Sequence, residues 1–140
     1  GMGYTYGGHP VSCAVALETL KIYEERDMVG HVRNVAPRFQ ERLAQLSSST
    51  LVGEARGVGL IGALELVMDK NSAEQYPPEV KAGATLAARA QARGLIVRAL
   101  PGDVIGICPP LIITEAQIDE LFDSLAEALS ETEGLLRRAA

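Results

Sequence analysis

The sequence predicts an α+β fold: a small, mainly antiparallel sheet of three or four strands, covered by helices on one face, with a long N-terminal helix. Three observations lead there. The elements run helix, helix, strand, strand, helix, strand, strand, helix, so the regular strand–helix alternation of a doubly wound parallel sheet is missing. Turn signals fall beside the paired strands, at Gly57 and at Leu100-Pro101-Gly102-Asp103. A length of 140 residues with no Trp suits one compact domain whose core is Leu, Ile, Val and Ala.

Gly3 to Gly8 is rich in Gly and Tyr and reads as a loop. Pro10 suits the first turn of a helix, where a missing N–H costs nothing. From Val11 to Glu25 this helix is apolar almost all round in its first half, through Val11, Cys13, Ala14, Val15, Ala16 and Leu17. A helix of that kind buries more than one side, which points to a partner surface outside the chain.

A second helix is expected from about Met28 to Leu46. Val32, Val35, Phe39, Leu43 and Leu46 recur at three- and four-residue spacing and form one apolar stripe. Pro37 inside it is expected to kink or interrupt it. Ser47-Ser48-Ser49 reads as a linker.

Two strands follow, Leu51 to Arg56 and Val58 to Val67. The second is apolar on both faces, which suits an interior strand. Gly57, Gly59 and Gly62 imply a turn and then close backbone packing. Glu65 in that strand needs a partner, since a buried carboxylate must be paired, and Arg56 is a candidate in a structural role. A polar loop leads to Pro77-Pro78.

The third helix runs from about Glu79 to Arg93, with Gly94 as its C-cap. A hairpin of Leu95 to Ala99 and Val104 to Ile107 comes next. In the last helix Thr114 and Gln117 form a capping box. Ile118, Leu121, Phe122, Leu125 and Leu129 then follow on one face, to about Thr132 or beyond.

Composition narrows the partners. The formal net charge is −5, and Lys and Arg are scattered apart from a terminal Arg137-Arg138 pair that reads as solvated. Nucleic acid is therefore not expected, because phosphate binding needs a clustered basic surface. No stretch approaches the roughly 18 apolar residues of a membrane span. The start carries no basic region or long apolar run, so no signal peptide is read there. Gly1 ahead of Met2 reads as a tag-cleavage scar, which sets the predicted domain at 3–136. Cys13 and Cys108, both in apolar surroundings, read as buried thiols rather than a disulfide. A reducing compartment, the cytoplasm, follows.

Two places have chemical potential. Gly3-Tyr4-Thr5-Tyr6-Gly7-Gly8-His9-Pro10 is a glycine-rich loop entering a helix. Backbone N–H groups, a positive dipole end and the Thr5 hydroxyl suit an anion there. A plain turn fits the same residues. The other place is Arg98, at the end of the apolar run Leu95-Ile96-Val97. Its planar fork pairs bidentately with a carboxylate, either inside the chain or on a ligand. His9 reads as a helix-start residue and His31 as exposed. No group has metal-ligand spacing, and Ser12 has no nearby base.

Four ordered blocks are similar to class III, omega-type pyridoxal-phosphate aminotransferases, a fold type I family. They are TYGGHPVSCAVAL, GEARGVGLIGALELV, ARGLIVRAL and GDVIGICPPLIITEAQIDEL, and the resemblance covers Gly3 to about Leu129. It implies the C-terminal small domain of such an enzyme. By that resemblance Thr5 donates to the phosphate of the neighbouring subunit's cofactor, Tyr4 lies beside that phosphate and the substrate pocket, and Arg98 binds the substrate α-carboxylate. It implies a homodimer that moves an amino group between an amine or amino acid and a keto acid, with pyridoxal 5'-phosphate as cofactor.

Departures from the pattern are Gly7, where many relatives have Ser, and Pro101, an added residue in the turn after Arg98. The family's Schiff-base lysine, the aspartate facing the pyridine nitrogen and the stacking aromatic belong to the large domain, and no residue here matches them. Lys21, Lys70 and Lys81 all read as surface residues. No catalytic residue is therefore assigned within the chain, which by itself is expected to be inactive and to bind no pyridoxal phosphate tightly. The rival reading is a non-catalytic dimerisation or carboxylate-binding module.

Overall fold

The computed structural model describes residues 3–139, so the tag-scar reading of Gly1 and Met2 lies outside the described residues. Four α-helices, α1 (Pro10–Glu25), α2 (Met28–Gln45), α3 (Ala82–Ala92) and α4 (Glu115–Ala139), accompany four strands. These are β1 (Val52–Val58), β2 (Ile61–Leu66), β3 (Arg98–Leu100) and β4 (Val104–Ile107). A 3-10 turn at Leu46–Ser48 occupies most of the expected serine linker. The sheet is antiparallel throughout, in the order β1-β2-β4-β3.

The fold is α+β, as expected, and one sheet face carries the core. Leu64 and Leu66 of β2 and Ile105 and Ile107 of β4 are buried. Against them pack Phe39 and Leu43 of α2, Leu86 of α3, and Ile118, Phe122 and Leu125 of α4. Alternation along β2 puts the intervening Ile61, Ala63 and Glu65 on the more open face. The rings of Phe39 and Phe122 meet edge-on at 5.1 Å in the centre of this layer. Such a pair contributes about 0.5–1.5 kcal/mol beyond its burial.

The helix ends follow local rules. Thr114 and Gln117 make the expected capping box: the Thr114 N–H donates to Gln117 Oε1 at 3.0 Å, and the Gln117 N–H donates to Thr114 Oγ1 at 3.3 Å. Gly94, at φ +81°, closes α3. Its N–H donates to Gln91 O and the Leu95 N–H donates to Ala90 O, the two bonds of a Schellman motif. Arg56 pairs with Glu65 at 3.0 Å and with Glu54 on the open sheet face, which settles the expected structural role of Glu65.

Several boundaries move. The first hairpin turns at Gly59-Leu60, with Val58 opposite Ile61, so Val58 belongs to β1. Gly59, not Gly57, takes the positive φ of +58° that the turn demands. Helix α3 begins at Ala82 and not Glu79, because Pro77 and Val80 close a separate turn and Lys81 adopts a left-handed conformation. Helix α2 runs through Pro37 without a break. The carbonyl that loses its partner there is that of Arg33, and both residues are exposed.

Strand β3 starts at Arg98, so the arginine opens the strand and does not close it. Leu95 is held in the Schellman motif. Continuing the β3–β4 register would set it opposite Pro109, which has no N–H to give.

Helix α1 buries none of its residues. Val11, Val15, Leu17 and Leu20 are each more than half exposed, and Ile22 and Tyr23 are exposed as well. Six large apolar side chains open around one helix exceed ordinary surface scatter. Cys13 and Cys108 are both free and exposed, which corrects the expectation of buried thiols. The neighbours of Cys13 are themselves uncovered, and Cys108 follows the buried Ile107 without sharing its cover. Among the described residues no helix is long and apolar enough to cross a membrane.

Candidate functional site

Tyr4, Thr5 and the residues to Gly8 form a run of turns before α1. The Gly7 N–H donates to Tyr4 O at 2.9 Å and the His9 N–H to Tyr6 O at 3.1 Å, while Gly8 takes φ +76°. A Cβ at Gly7 would lie 3.1 Å from Tyr4 O, so the tight turn favours the glycine found there. Pro10 stands in the first turn, and His9, the N-cap, makes no side-chain cap bond. No acidic residue occupies the first turn either. The dipole end of α1 therefore meets no negative side chain of its own first turn. Tyr4 and Thr5 are both exposed, Tyr4 at 77%.

Arg98 opens the edge strand β3 and is exposed. Among the described residues its side chain makes no ion pair or hydrogen bond, which removes the internal salt bridge that the sequence left open. A groove of about 360 Å³ opens along the residues just before it, lined by Ile96, Val97, Ile107, Cys108, Ile112 and Gln117 among others, with Arg98 itself outside the lining. Ile96 and Ile112 are 86% and 65% exposed. A free guanidinium can grip a carboxylate through two parallel N–H···O bonds.

The turn behind Arg98 is fixed from α3. Gly102 and Asp103 take φ +78° and +53°, and Asp103 Oδ1 accepts the Gly83 N–H at 2.8 Å. Pro101 lies in this turn, between β3 and β4.

No hydrogen bond or ion pair links Thr5 or Tyr4 to Arg98; each stands exposed on its own element. The sequence reading missed two features. One is the groove, whose signal was the unalternating Pro109-Pro110-Leu111-Ile112-Ile113 run. The other is His31, expected to be exposed. It is half-buried, and its Nε2 lies 2.9 Å from Ile113 O on the loop that lines the groove.

None of the three lysines stands in the buried setting that a pyridoxal-phosphate imine favours. Such an imine needs a lysine that can shed its charge, which burial would promote. Lys21 pairs with Glu18 at 3.2 Å, Lys70 binds the Ser47 carbonyl, and Lys81 precedes α3; all three are exposed. Among the described residues no cluster of His, Cys, Asp and Glu could hold a metal ion.

Among the described residues the sheet edge carries an arginine without a partner, and the apolar helix α1 is left uncovered. The family model for class III aminotransferases matches residues 1–129. The chain belongs to the class III aminotransferase family.

It is 47% identical over 131 residues to gamma aminobutyrate transaminase 1, mitochondrial, of Solanum lycopersicum, covering 94% of this chain and 25% of that protein. It is 51% identical over 132 residues to a probable gamma-aminobutyrate transaminase 4 of Oryza sativa subsp. japonica, covering 94% and 27%. The omega-transferase of Vibrio fluvialis JS17 superposes with a TM-score of 0.91 at 39% identity, covering all of this chain and 33% of that one. A PMP-bound aminotransferase structure from Vibrio fluvialis gives 0.88 at 40% identity, covering 95% and 29%. The chain thus spans about a quarter of the length of the curated relatives it matches.

Proposed function

We propose that residues 3–136 are the C-terminal small domain of a pyridoxal-phosphate-dependent transaminase, which moves an amino group between an amine or amino acid and a keto acid. The observation that carries the reading is Arg98: an exposed guanidinium with no partner among the described residues, at the position where the family resemblance expects a carboxylate-binding arginine. Thr5 and Tyr4, at the open end of α1, are the proposed contacts to the cofactor phosphate of a neighbouring subunit. That role requires a homodimer. The uncovered apolar face of α1 supports docking on the large domain that holds the cofactor.

In this reading the cofactor supplies the electron sink, and the lysine, pyridinium partner and enclosing walls come from the large domain. Arg98 holds the substrate carboxylate by two parallel N–H···O bonds, which fixes the substrate's orientation. The chain by itself is inactive.

Two measurements test this. The isolated chain is mixed with pyridoxal phosphate and reduced with borohydride; stoichiometric label on Lys21, Lys70 or Lys81 would overturn the inactive-chain reading. The same chain is then joined in frame to the lysine-bearing large domain of a class III aminotransferase. There Arg98→Ala is expected to raise KM for a keto acid about tenfold or more, with a smaller effect on an amine that has no carboxylate. Equal effects on both substrates would count against the carboxylate role. If the isolated chain instead forms a defined dimer that binds carboxylates through Arg98, the non-catalytic module is the better reading.

A further inference from the structure

A second cavity, of about 440 Å³, lies between the exit of β2, the loop through Tyr76 and the last turns of α4. It shares no lining residue with the groove beside Arg98. Its volume falls within the range of about 300–1,000 Å³ usual for small-molecule sites. Leu51, Met68, Val80 and Leu136 supply apolar wall, and Tyr76 and Glu133 supply polar groups.

Glu133 is held in place but not saturated. Its side chain is 23% exposed. Thr50 Oγ1 donates to Glu133 Oε1 at 2.6 Å, and the Arg137 guanidinium pairs with the same oxygen. Oε2 has no partner among the described residues. A carboxylate offers about four lone-pair sites, so acceptor capacity remains. The Tyr76 hydroxyl likewise makes no hydrogen bond to a described residue. Burial first, then the negative charges of Glu133 and Asp103, raise its pKa, so it stays a neutral O–H. The lining cation, Arg137, is already engaged by Glu133, and its side chain is 70% exposed. The cavity therefore presents the free oxygen of a carboxylate and a neutral phenol over an apolar floor, with Arg137 at its exposed rim.

We propose that this cavity binds a small aryl- or alkylammonium ion, with its N–H groups donating to Glu133 Oε2 and the Tyr76 oxygen, and its apolar body against Leu51, Met68, Val80 and Leu136. The Met68 thioether favours an aryl body, because sulfur–ring contacts are attractive. This site does not depend on the transaminase reading.

The probe is benzylamine, titrated into the 140-residue chain and followed by amide NMR. Saturable shifts are expected at residues 50–51, 68, 76, 79–80 and 133–137. Phenylacetate, of similar size and opposite charge, should bind more weakly, as should uncharged benzyl alcohol. Glu133→Gln should weaken benzylamine about tenfold, the equivalent of one charge-assisted hydrogen bond. Should that variant melt early through loss of its Thr50 and Arg137 bonds, Tyr76→Phe and the charge comparison still decide. Shifts confined to the Arg98 groove, equal affinity for phenylacetate and benzylamine, or no saturable shift would each overturn the proposal.

Discussion

The Nε2 of His31, in the first turn of α2, lies 2.9 Å from the carbonyl oxygen of Ile113, 82 residues further on. A carbonyl only accepts, so the imidazole N–H donates. Ile113 is where the chain turns into α4: its own N–H donates to Pro110 O, and Thr114 caps the helix next to it. One side chain thus ties the start of α2 to the entry of α4 and to the loop beside Arg98. His31→Phe keeps a ring of similar size and removes the donor, leaving the carbonyl of a buried residue without its partner. We expect a loss of about 1–2 kcal/mol in urea unfolding, with faster amide exchange at 111–114 than elsewhere. A variant as stable as the parent would show that the bond is dispensable.

Two glycines face each other across the first hairpin, and α2 rests on them. Gly57 pairs with Gly62 between β1 and β2. A Cβ on Gly57 would sit 2.4 Å from Ile61 O and 2.9 Å from Leu43 Cδ2. One on Gly62 would sit 3.0 Å from Leu43 Cδ2 and 3.1 Å from Phe39 Cε1. Gln40 clips the same hairpin from above, donating to Gly59 O at 2.9 Å. Because the nearest obstacle to Gly57→Ala is backbone, that change is expected to destabilise by about 1–3 kcal/mol. Gly59→Ala meets no atom within 4 Å and strains only φ, so its effect should be smaller. Thermal melts of the two variants side by side check the order.

These glycines also show what could be read before the structure. Their clustering signalled close packing, and the structure supplies it through Leu43 and Phe39. Helix stripes, the capping box, the Gly94 cap and the Arg56–Glu65 pair were legible because each is a short-range rule acting within a turn or across one hairpin. Long-range partners were not. Nothing near His31 in sequence points to Ile113, and Cys108 sits among apolar residues without being covered by them. Burial depends on what arrives from elsewhere in the fold, and among the described residues nothing covers α1. The site was legible only in part for the same reason. Residue chemistry marked Thr5 and Arg98, but the Arg98 groove is made by a loop and a helix that converge from other parts of the chain.

The packing of α3 on α4 carries a charge clamp whose pH dependence has a definite sign. Arg93, the C-cap of α3, donates through Nε to Glu127 at 3.1 Å and through a terminal nitrogen to Glu131 at 2.8 Å. A cation there also meets the negative end of the helix dipole. The hydrogen bond from Arg93 holds the Glu131 carboxyl below its ordinary value, against a smaller opposing effect of desolvation; the charges of Arg93 and Arg89 act in the same lowering direction. A carboxyl whose pKa is depressed on folding stabilises the fold above its unfolded pKa. That contribution fades as pH falls through the folded value. Glu131→Gln should therefore unfold at lower urea than the parent at neutral pH, and the gap should close toward about pH 3, below the usual carboxylate range. The clamp is solvent-exposed, so high salt should narrow the gap at neutral pH too. Urea midpoints of both proteins across this range decide it, and a gap that widens on acidification would assign the stabilisation to something other than the ionised carboxylate.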